Sequence, residues 1–188
     1  MKKYIKIILD TSIFINPNSH YIFGDTPSEA FNNFLEKAQN KKGIKFYIPP
    51  SIYEELMNFL ENPPPLKKIL IINKKPPSSY QLSISSLFVY ELIEEIRIRV
   101  NKGLRIAEKY ARKANKEHNL DALIKNLRQE YRVALREGII DSKGDFDLLL
   151  LAKELNGYIA TSDNGLIKWA QKIGINCIGA LELKEYLS

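Results

Sequence analysis

Two segments far apart in this chain are apolar, strand-like and end on aspartate. The first runs from Lys3 through Ile5, Ile7, Ile8 and Leu9 to Asp10; the second runs from Gly157 through Tyr158, Ile159, Ala160 and Thr161 to Asp163. Neither alternates cleanly, as expected of strands buried on both faces of a parallel sheet. The second follows "LLLLAKEL", a run with the length and composition of a buried helix. Strands alternating with helices confine the chain to an α/β architecture with a parallel sheet flanked by helices. In such open sheets ligands bind outside the carboxyl ends of the strands. If the two strands are neighbours, Asp10 and Asp163 converge there, and Asp145 and Asp141 reach the same crevice from the start of the helix. Carboxylates so gathered repel one another unless protons or a hard cation neutralise them. Mg²⁺ or Mn²⁺, with oxygen ligands, is the natural filling.

The rest of the chain places the other elements. A loop rich in Asn, Pro and Gly is expected from Asp10 to Pro27, then a helix capped by Ser28 with Ala30, Phe31, Phe34, Leu35 and Ala38 on one face. Ile44–Pro49 reads as a strand, followed by the helix "IYEELMNFLEN", where Ser51 and Glu54 have capping-box spacing. Glu55 has no such role and lies near the strand's carboxyl end, which makes it the candidate for a fifth carboxylate. "LKKILIINKK" fits strand or helix, and "YQLSIS" alternates like a short strand. From Ser86 to Gly138 the pattern is helical. Leu92, Ile96, Val100, Leu104, Ala107, Ala111 and Ala114 recur at three- and four-residue steps, then Leu120, Leu123, Leu127, Tyr131 and Ala134 resume the pattern. Two long helices in an antiparallel hairpin are expected. A helix from Asp145 to Asn156, the second Asp-ended strand, a helix closed by Gly174, a strand "INCIG" and a terminal helix complete the chain.

The net charge is +6, but it is unevenly spread: between Arg97 and Arg136 stand twelve Lys and Arg against four acids. That stretch of the hairpin is therefore strongly basic while the rest of the chain, outside Arg97–Arg136, is slightly acidic, which implies a polyanionic partner. Arg105, Lys109, Arg112, Lys113, Lys116, Arg128 and Arg132 are the candidate residues for contacting it. The first helix of the arm also carries Tyr90, Leu92, Ile93, Ile96 and Ile98 over more than one face, a surface for self-association into a homo-oligomer larger than a dimer. The single Cys177 excludes a disulfide framework and a cysteine zinc site, and His20 and His118 lack metal-ligand spacing. No apolar run reaches the about 18 residues of a membrane span, so a cytoplasmic protein is expected.

Each acid also has a bland reading. Asp10 and Asp163 can form turns, Asp145 can favour a helix dipole, and Asp147 can be a solvated first-turn acid. Their combination at two strand ends and one helix start favours a metal site. Phosphodiester hydrolysis is the chemistry such a site supports. No Gly-rich phosphate loop is present, and Ser12 stands where an aspartyl-phosphate enzyme carries a second Asp.

"ILDTSIFI", "YIPPSIYEEL" and "DFDLLLLAKELNGYIATSD" resemble the motifs of PIN-domain ribonucleases, in the family's order. The resemblance covers roughly the first 60 residues and the last 50. It implies metal-binding acids at Asp10, Asp145 and Asp163, with Glu55, or failing it Glu54, in the position after the second strand; Asp147 is a further candidate ligand. The basic hairpin before "IIDSKGDFDLLLLAKEL" resembles one subfamily, the minimal protein-only ribonuclease P (HARP, also known as RNA ligase partner protein). That resemblance implies a PIN-like domain of residues 1–85 and 139–188, with 86–138 as an inserted arm for RNA binding and oligomerisation. It also brings Asp141 into the catalytic set with Asp10, Asp145 and Asp163. The implied activity is Mg²⁺- or Mn²⁺-dependent removal of the 5′ leader from precursor tRNA. Two rival readings stand beside it: a toxin-type PIN ribonuclease cutting tRNA or mRNA, and a non-catalytic PIN-like RNA-binding scaffold.

Overall fold

The computed structural model describes residues 4–78, 83, 85–114, 119–136 and 142–188. The chain divides into two compact units, Met1–Leu82 with Ser142–Ser188, and Ser83–Asp141.

The first unit is built on five strands, β1 (Ile5–Leu9), β2 (Ile44–Ile48), β3 (Ile72–Lys74), β4 (Tyr158–Ala160) and β5 (Cys177–Ile178). All pair in parallel, in the order β3-β2-β1-β4-β5. This is the parallel sheet flanked by helices that the strand–helix alternation implies. The chain winds outward from β1 to β2 and β3, then returns to lay β4 against the other side of β1. The crevice beyond the ends of β1 and β4 is thus the topological switch point of the sheet.

The helices are α1 (Ser12–Ile15), α2 (Pro17–His20), α3 (Pro27–Gln39), α4 (Pro50–Phe59), α5 (Leu66–Ile69), α6 (Ser86–Ala114), α7 (Leu120–Arg136), α8 (Lys143–Leu155), α9 (Asn164–Lys172) and α10 (Ala180–Leu187). Helix α8 packs on β1 and β4 and buries Leu148, Leu149, Leu150, Leu151 and Ala152. Aromatic rings fill another part of the core: Phe14 stands 5.1 Å from both Phe31 and Phe34, and Phe34 stands 5.2 Å from Phe46. Each buried ring contributes on the order of 1.5–3 kcal/mol by leaving water, so this cluster fixes α1 and α3 against β2.

Several local expectations are corrected. The segment after Asp10 is not simply a loop, because α1 and α2 each form one helical turn there. Helix α3 is capped by Thr26, whose hydroxyl accepts from the Glu29 N–H at 3.2 Å. Ser28, expected in that role, is buried and accepts from the Asn62 N–H. "LKKILIINKK" is both things in turn, a helical turn and then edge strand β3. The strand expected over "YQLSIS" lies largely outside the described residues. At the far end of α8, Asn156 takes the left-handed conformation (φ 49°) and closes the helix, a place sequence reasoning gave only as the helix end.

In the second unit α6 and α7 pack together as the expected hairpin. On the expected α7 face Leu123 and Ala134 are buried and Leu127 is half-buried, while Leu120 and Tyr131 are exposed. The α6 face is not the expected one. Ile96, Val100 and Leu104 are 48–60% exposed, while Arg99, Gly103, Ile106 and Tyr110 turn inward. Two local causes rotate the helix. At Gly103 a Cβ would stand 2.6 Å from the Tyr131 ring, so only glycine admits that ring. Arg99 donates from Nε to the Leu135 carbonyl at 3.1 Å, satisfying a group in the last turn of α7. A purely apolar pattern could not anticipate an inward arginine. Among the described residues no helix is long and apolar enough to cross a membrane.

Candidate metal-binding active site

Strand β1 ends one residue before Asp10, and the pairing with β4 runs past the strand, because the Asp10 N–H donates to the Ala160 carbonyl at 3.0 Å. Asp10 is thereby carried into the switch-point crevice. Its carboxylate is buried, and its two oxygens have different surroundings. Oδ2 accepts from the Ser12 hydroxyl at 2.5 Å and the Thr161 hydroxyl at 2.6 Å. Toward Oδ1 the side-chain donor among the described residues is the Thr11 hydroxyl, at 3.4 Å, and the Ser12 N–H also lies close enough to favour the carboxylate. Burial pushes the Asp10 carboxyl above its ordinary range, the hydroxyls of Ser12 and Thr161 oppose that, and the negative charge of Asp163 adds to it. No basic side chain offsets this among the described residues.

Thr161 ties the two strand ends together. While donating to Asp10 it accepts from the Asp163 N–H at 3.0 Å. Asp163 is the N-cap of α9: its Oδ1 accepts from the N–H groups of Gly165 and Leu166, at 2.5 and 3.0 Å. The bland reading of Asp163 is therefore true of one oxygen; its Oδ2 takes no hydrogen bond among the described residues. The convergence of Asp10 and Asp163, read from their two strands, is thus present.

The other acids arrive on helices. Asp145 lies in the first turn of α8, and its N–H donates to the Ser142 N-cap at 3.0 Å. Asp147 accepts from Ser51 of α4 at 3.1 Å, so α4 and α8 meet at their N-terminal ends. A Cβ at Gly144 would stand 2.7 Å from the Cδ1 tip of Ile52, so the glycine lies close against α4. The expected capping box at Ser51 and Glu54 is absent: α4 begins at Pro50, and its cap carries no side-chain bond. Glu55 accepts from the Thr11 hydroxyl at 3.3 Å, whereas Glu54 is exposed and hydrogen-bonds to nothing among the described residues. The geometry therefore joins Glu55, not Glu54, to the Asp10 cluster. Asp141 lies outside the described residues.

Thr11, Ser12 and Thr161 are participants that reading for carboxylates missed. The signal was available: hydroxyl residues flank the acid at each strand end, and a carboxylate leaving a buried strand needs donors.

Among the described residues no three His, Cys, Asp or Glu side chains form a ready-made metal cage. The donors fit a hard cation nonetheless. They are oxygens only, and burial and the Asp163 charge both disfavour ionisation of Asp10, a penalty that a divalent cation would relieve. Cys177 is half-buried, and burial, followed by the Asp10 charge, pushes its thiol up to about 11, so it stays protonated.

On the hairpin, Arg105, Arg112, Lys113, Arg128 and Arg132 are exposed. Lys109 differs, because it pairs with Glu130 at 2.8 and 3.0 Å. Lys116 lies outside the described residues. A groove of about 670 Å³ runs along α7, lined among others by Lys125, Arg128, Gln129 and Arg132; Lys125 and Gln129 were not among the sequence candidates.

The family model described as PINc domain ribonuclease matches residues 6–188. The RNA-free ribonuclease P of Pyrococcus furiosus is 51% identical over 185 residues, 97% of this chain and 92% of that one. That of Pyrococcus horikoshii is 51% identical over 187 residues, covering 98% and 92%. The RNA-free ribonuclease P of Thermodesulfovibrio yellowstonii is 46% identical over 187 residues, covering 99% and 95%. Among solved structures, a PilT N-terminus domain protein from Sulfolobus solfataricus P2 aligns at a TM-score of 0.42 and 14% identity, over 97% of this chain and 93% of that chain. Identity near one half along almost the whole length, together with the family model's match, places the chain: it belongs to the PINc domain ribonucleases, and among them to the RNA-free ribonuclease P family.

Proposed function

We propose that this protein is an endoribonuclease that removes the 5′ leader from precursor tRNA, using a divalent cation held at the β1/β4 crevice. The near-full-length similarity to RNA-free ribonucleases P carries the choice of substrate. The reaction is hydrolysis: water adds to phosphorus, the bond to the leader's 3′ oxygen breaks, and the tRNA keeps the 5′-phosphate.

Asp10, Asp145 and Asp163 are the proposed ligands, with Glu55 beside Asp10, Asp147 as a further candidate and Asp141 in the catalytic set. When bound, Mg²⁺ or Mn²⁺ polarises the phosphoryl oxygen and activates water. Ser12 and Thr161 hold Oδ2 of Asp10, leaving Oδ1 turned toward Thr11 and Glu55. The N-terminus of α8 contributes a favourable dipole for Asp145 in its anionic form.

Residues 86–138 serve as an arm. Arg128 and Arg132, with Lys125, form a cationic stripe for the phosphates of the tRNA body, and Arg105, Arg112, Lys113 and Lys116 extend it. The pairing of Lys109 with Glu130 gives it a smaller part than its neighbours. The exposed apolar residues of α6 support assembly of several copies. The place of action is the cytoplasm.

The test uses three RNAs in Mg²⁺: a precursor tRNA, the matching mature tRNA and an unstructured mRNA fragment. Only the precursor should be shortened, with activity abolished by EDTA and restored by excess Mg²⁺. Cleavage of the mature tRNA or of the mRNA would favour the toxin reading. Binding without cleavage would favour the scaffold.

A further inference from the structure

We propose that Thr11 is a positioning residue, whose hydroxyl holds Asp10 Oδ1 and Glu55 Oε1 together as ligands for one divalent cation. The proposal rests on the metal-dependent reading of the site and adds to it a residue that ligates nothing.

The observation is a hydroxyl between two acids. Thr11 is 4% exposed, and its Oγ1 lies 3.4 Å from Asp10 Oδ1 and 3.3 Å from Glu55 Oε1. A threonine hydroxyl has one proton to donate, so it can serve only one of these oxygens at a time. Both distances exceed the 2.5–3.0 Å of a good O–H···O bond. The contrast with Oδ2 of the same carboxylate is direct, since that oxygen has two full donors at 2.5 and 2.6 Å. Oδ1 and Oε1 thus both lie within 3.4 Å of one hydroxyl whose single proton serves only one of them, an arrangement a cation completes.

A second observation concerns what Thr11 does not do. It occupies the N-cap of α1, where a threonine hydroxyl ordinarily accepts from an N–H in the first turn. Here the side chain makes no cap bond. Its backbone is helical (φ −57°, ψ −36°) rather than extended as at an ordinary N-cap, and the hydroxyl faces the carboxylates instead. The residue also links elements distant in sequence: Asp10 comes from the end of β1 and Glu55 from the middle of α4. Without the hydroxyl, nothing among the described residues ties the exposed Glu55 side chain to the crevice.

The test compares full-length wild type, Thr11→Val and Thr11→Ser, with Mn²⁺ alone as the probe. Valine keeps the shape and removes the proton, while serine keeps the proton. Mn²⁺ affinity is read by electron paramagnetic resonance, and the thermal midpoint is read without metal and with saturating Mn²⁺. Thr11→Val is expected to bind Mn²⁺ about 10- to 100-fold more weakly, the range for residues that orient ligands. Its metal-free midpoint should stay at or above that of wild type, because the lost hydrogen bonds are poor. Thr11→Ser should recover wild-type affinity to within a few-fold. Wild-type affinity in Thr11→Val, or failure of Thr11→Ser to recover it, overturns the role of Thr11. A metal-free midpoint that collapses in Thr11→Val shows a fold-holding threonine and overturns it equally. If wild type itself takes up no Mn²⁺, the metal reading beneath the proposal fails.

Discussion

Asp10 is a carboxyl that the fold buries with no basic partner among the described residues, and its substitution separates stability from activity. Asp10→Asn keeps the shape. Its carbonyl oxygen can take the bonds from Ser12 and Thr161, and its amide can donate toward Thr11 and Glu55. Because folding raises the Asp10 carboxyl above its ordinary value of 3.8, the native state holds the proton more tightly than the unfolded chain. Its contribution to stability is thus greatest below that ordinary value and is lost as pH rises through the raised one. In the absence of metal, Asp10→Asn should be more stable than wild type at pH 7, with a melting midpoint several degrees higher at roughly 2–4 °C per kcal/mol. The advantage should vanish below about pH 3.8. Activity should go the other way: Asp10→Ala, Asp145→Ala and Asp163→Ala should each lower the cleavage rate at least about a hundredfold in Mg²⁺, and Asp147→Ala less. Three normal rates would dismiss the site. The carboxylates were legible because each ends a strand or opens a helix. The hydroxyls between them were not sought, because attention to charge passes over neutral donors. The choice between Glu54 and Glu55 needed the helix phase, which depends on α4 beginning at Pro50 rather than at a Ser51 cap.

Strand and helix alternation was enough to place β1, β2, β4 and β5, and the α6–α7 hairpin, since each is long or strongly apolar for its kind. Elements set by tertiary contact were harder to read. The turns α1 and α2 exist because Phe14 and Phe23 join an aromatic cluster with Phe31 and Phe34 from α3. The inward face of α6 differs from the apolar pattern because Arg99 and Gly103 meet α7 alongside Ile106 and Tyr110, in place of Ile96, Val100 and Leu104. That rotation leaves Tyr90, Ile93, Ile96, Ile98, Val100 and Leu104 exposed together on α6, while α7 presents Lys125, Arg128 and Arg132 along its groove. The α7 stripe gives a prediction in salt. Replacing Lys125, Arg128 and Arg132 together by Gln should weaken precursor tRNA binding at low salt. The slope of log affinity against log salt should become shallower by about two units, at roughly 0.7–0.9 for each phosphate no longer neutralised. The single-turnover rate at saturating protein should change little. An unchanged slope, measured by filter binding over roughly 50 to 300 mM salt, would remove α7 from the RNA interface.

A chain of 188 residues must reach both the body of a tRNA and its 5′ end, and one PIN-sized unit is small for that distance. Several copies would let one subunit's basic arm hold the substrate while another subunit cuts it. Tyr90, Ile93, Ile96, Ile98, Val100 and Leu104 of α6 are all exposed, and apolar side chains gathered on a surface mark sites of association. Size-exclusion chromatography with light scattering should therefore give a mass well above twice 21.7 kDa. Ile93→Glu with Ile96→Glu should lower it. A fully active monomer of the unmodified chain would contradict assembly. Parallel order and the switch point were accessible from sequence because two Asp-ended apolar runs admit few arrangements; assembly is not, because an exposed stripe does not say how many copies it joins. The claim on which the rest depends is the position of the cut. A precursor tRNA labelled at its 5′ end and, separately, at its 3′ end is incubated with the protein and Mg²⁺, and both product ends are mapped to the nucleotide. One cut between leader and first mature nucleotide, leaving a 5′-phosphate on the tRNA, is the predicted result; cuts scattered through the anticodon or the leader, or an intact precursor, would contradict it.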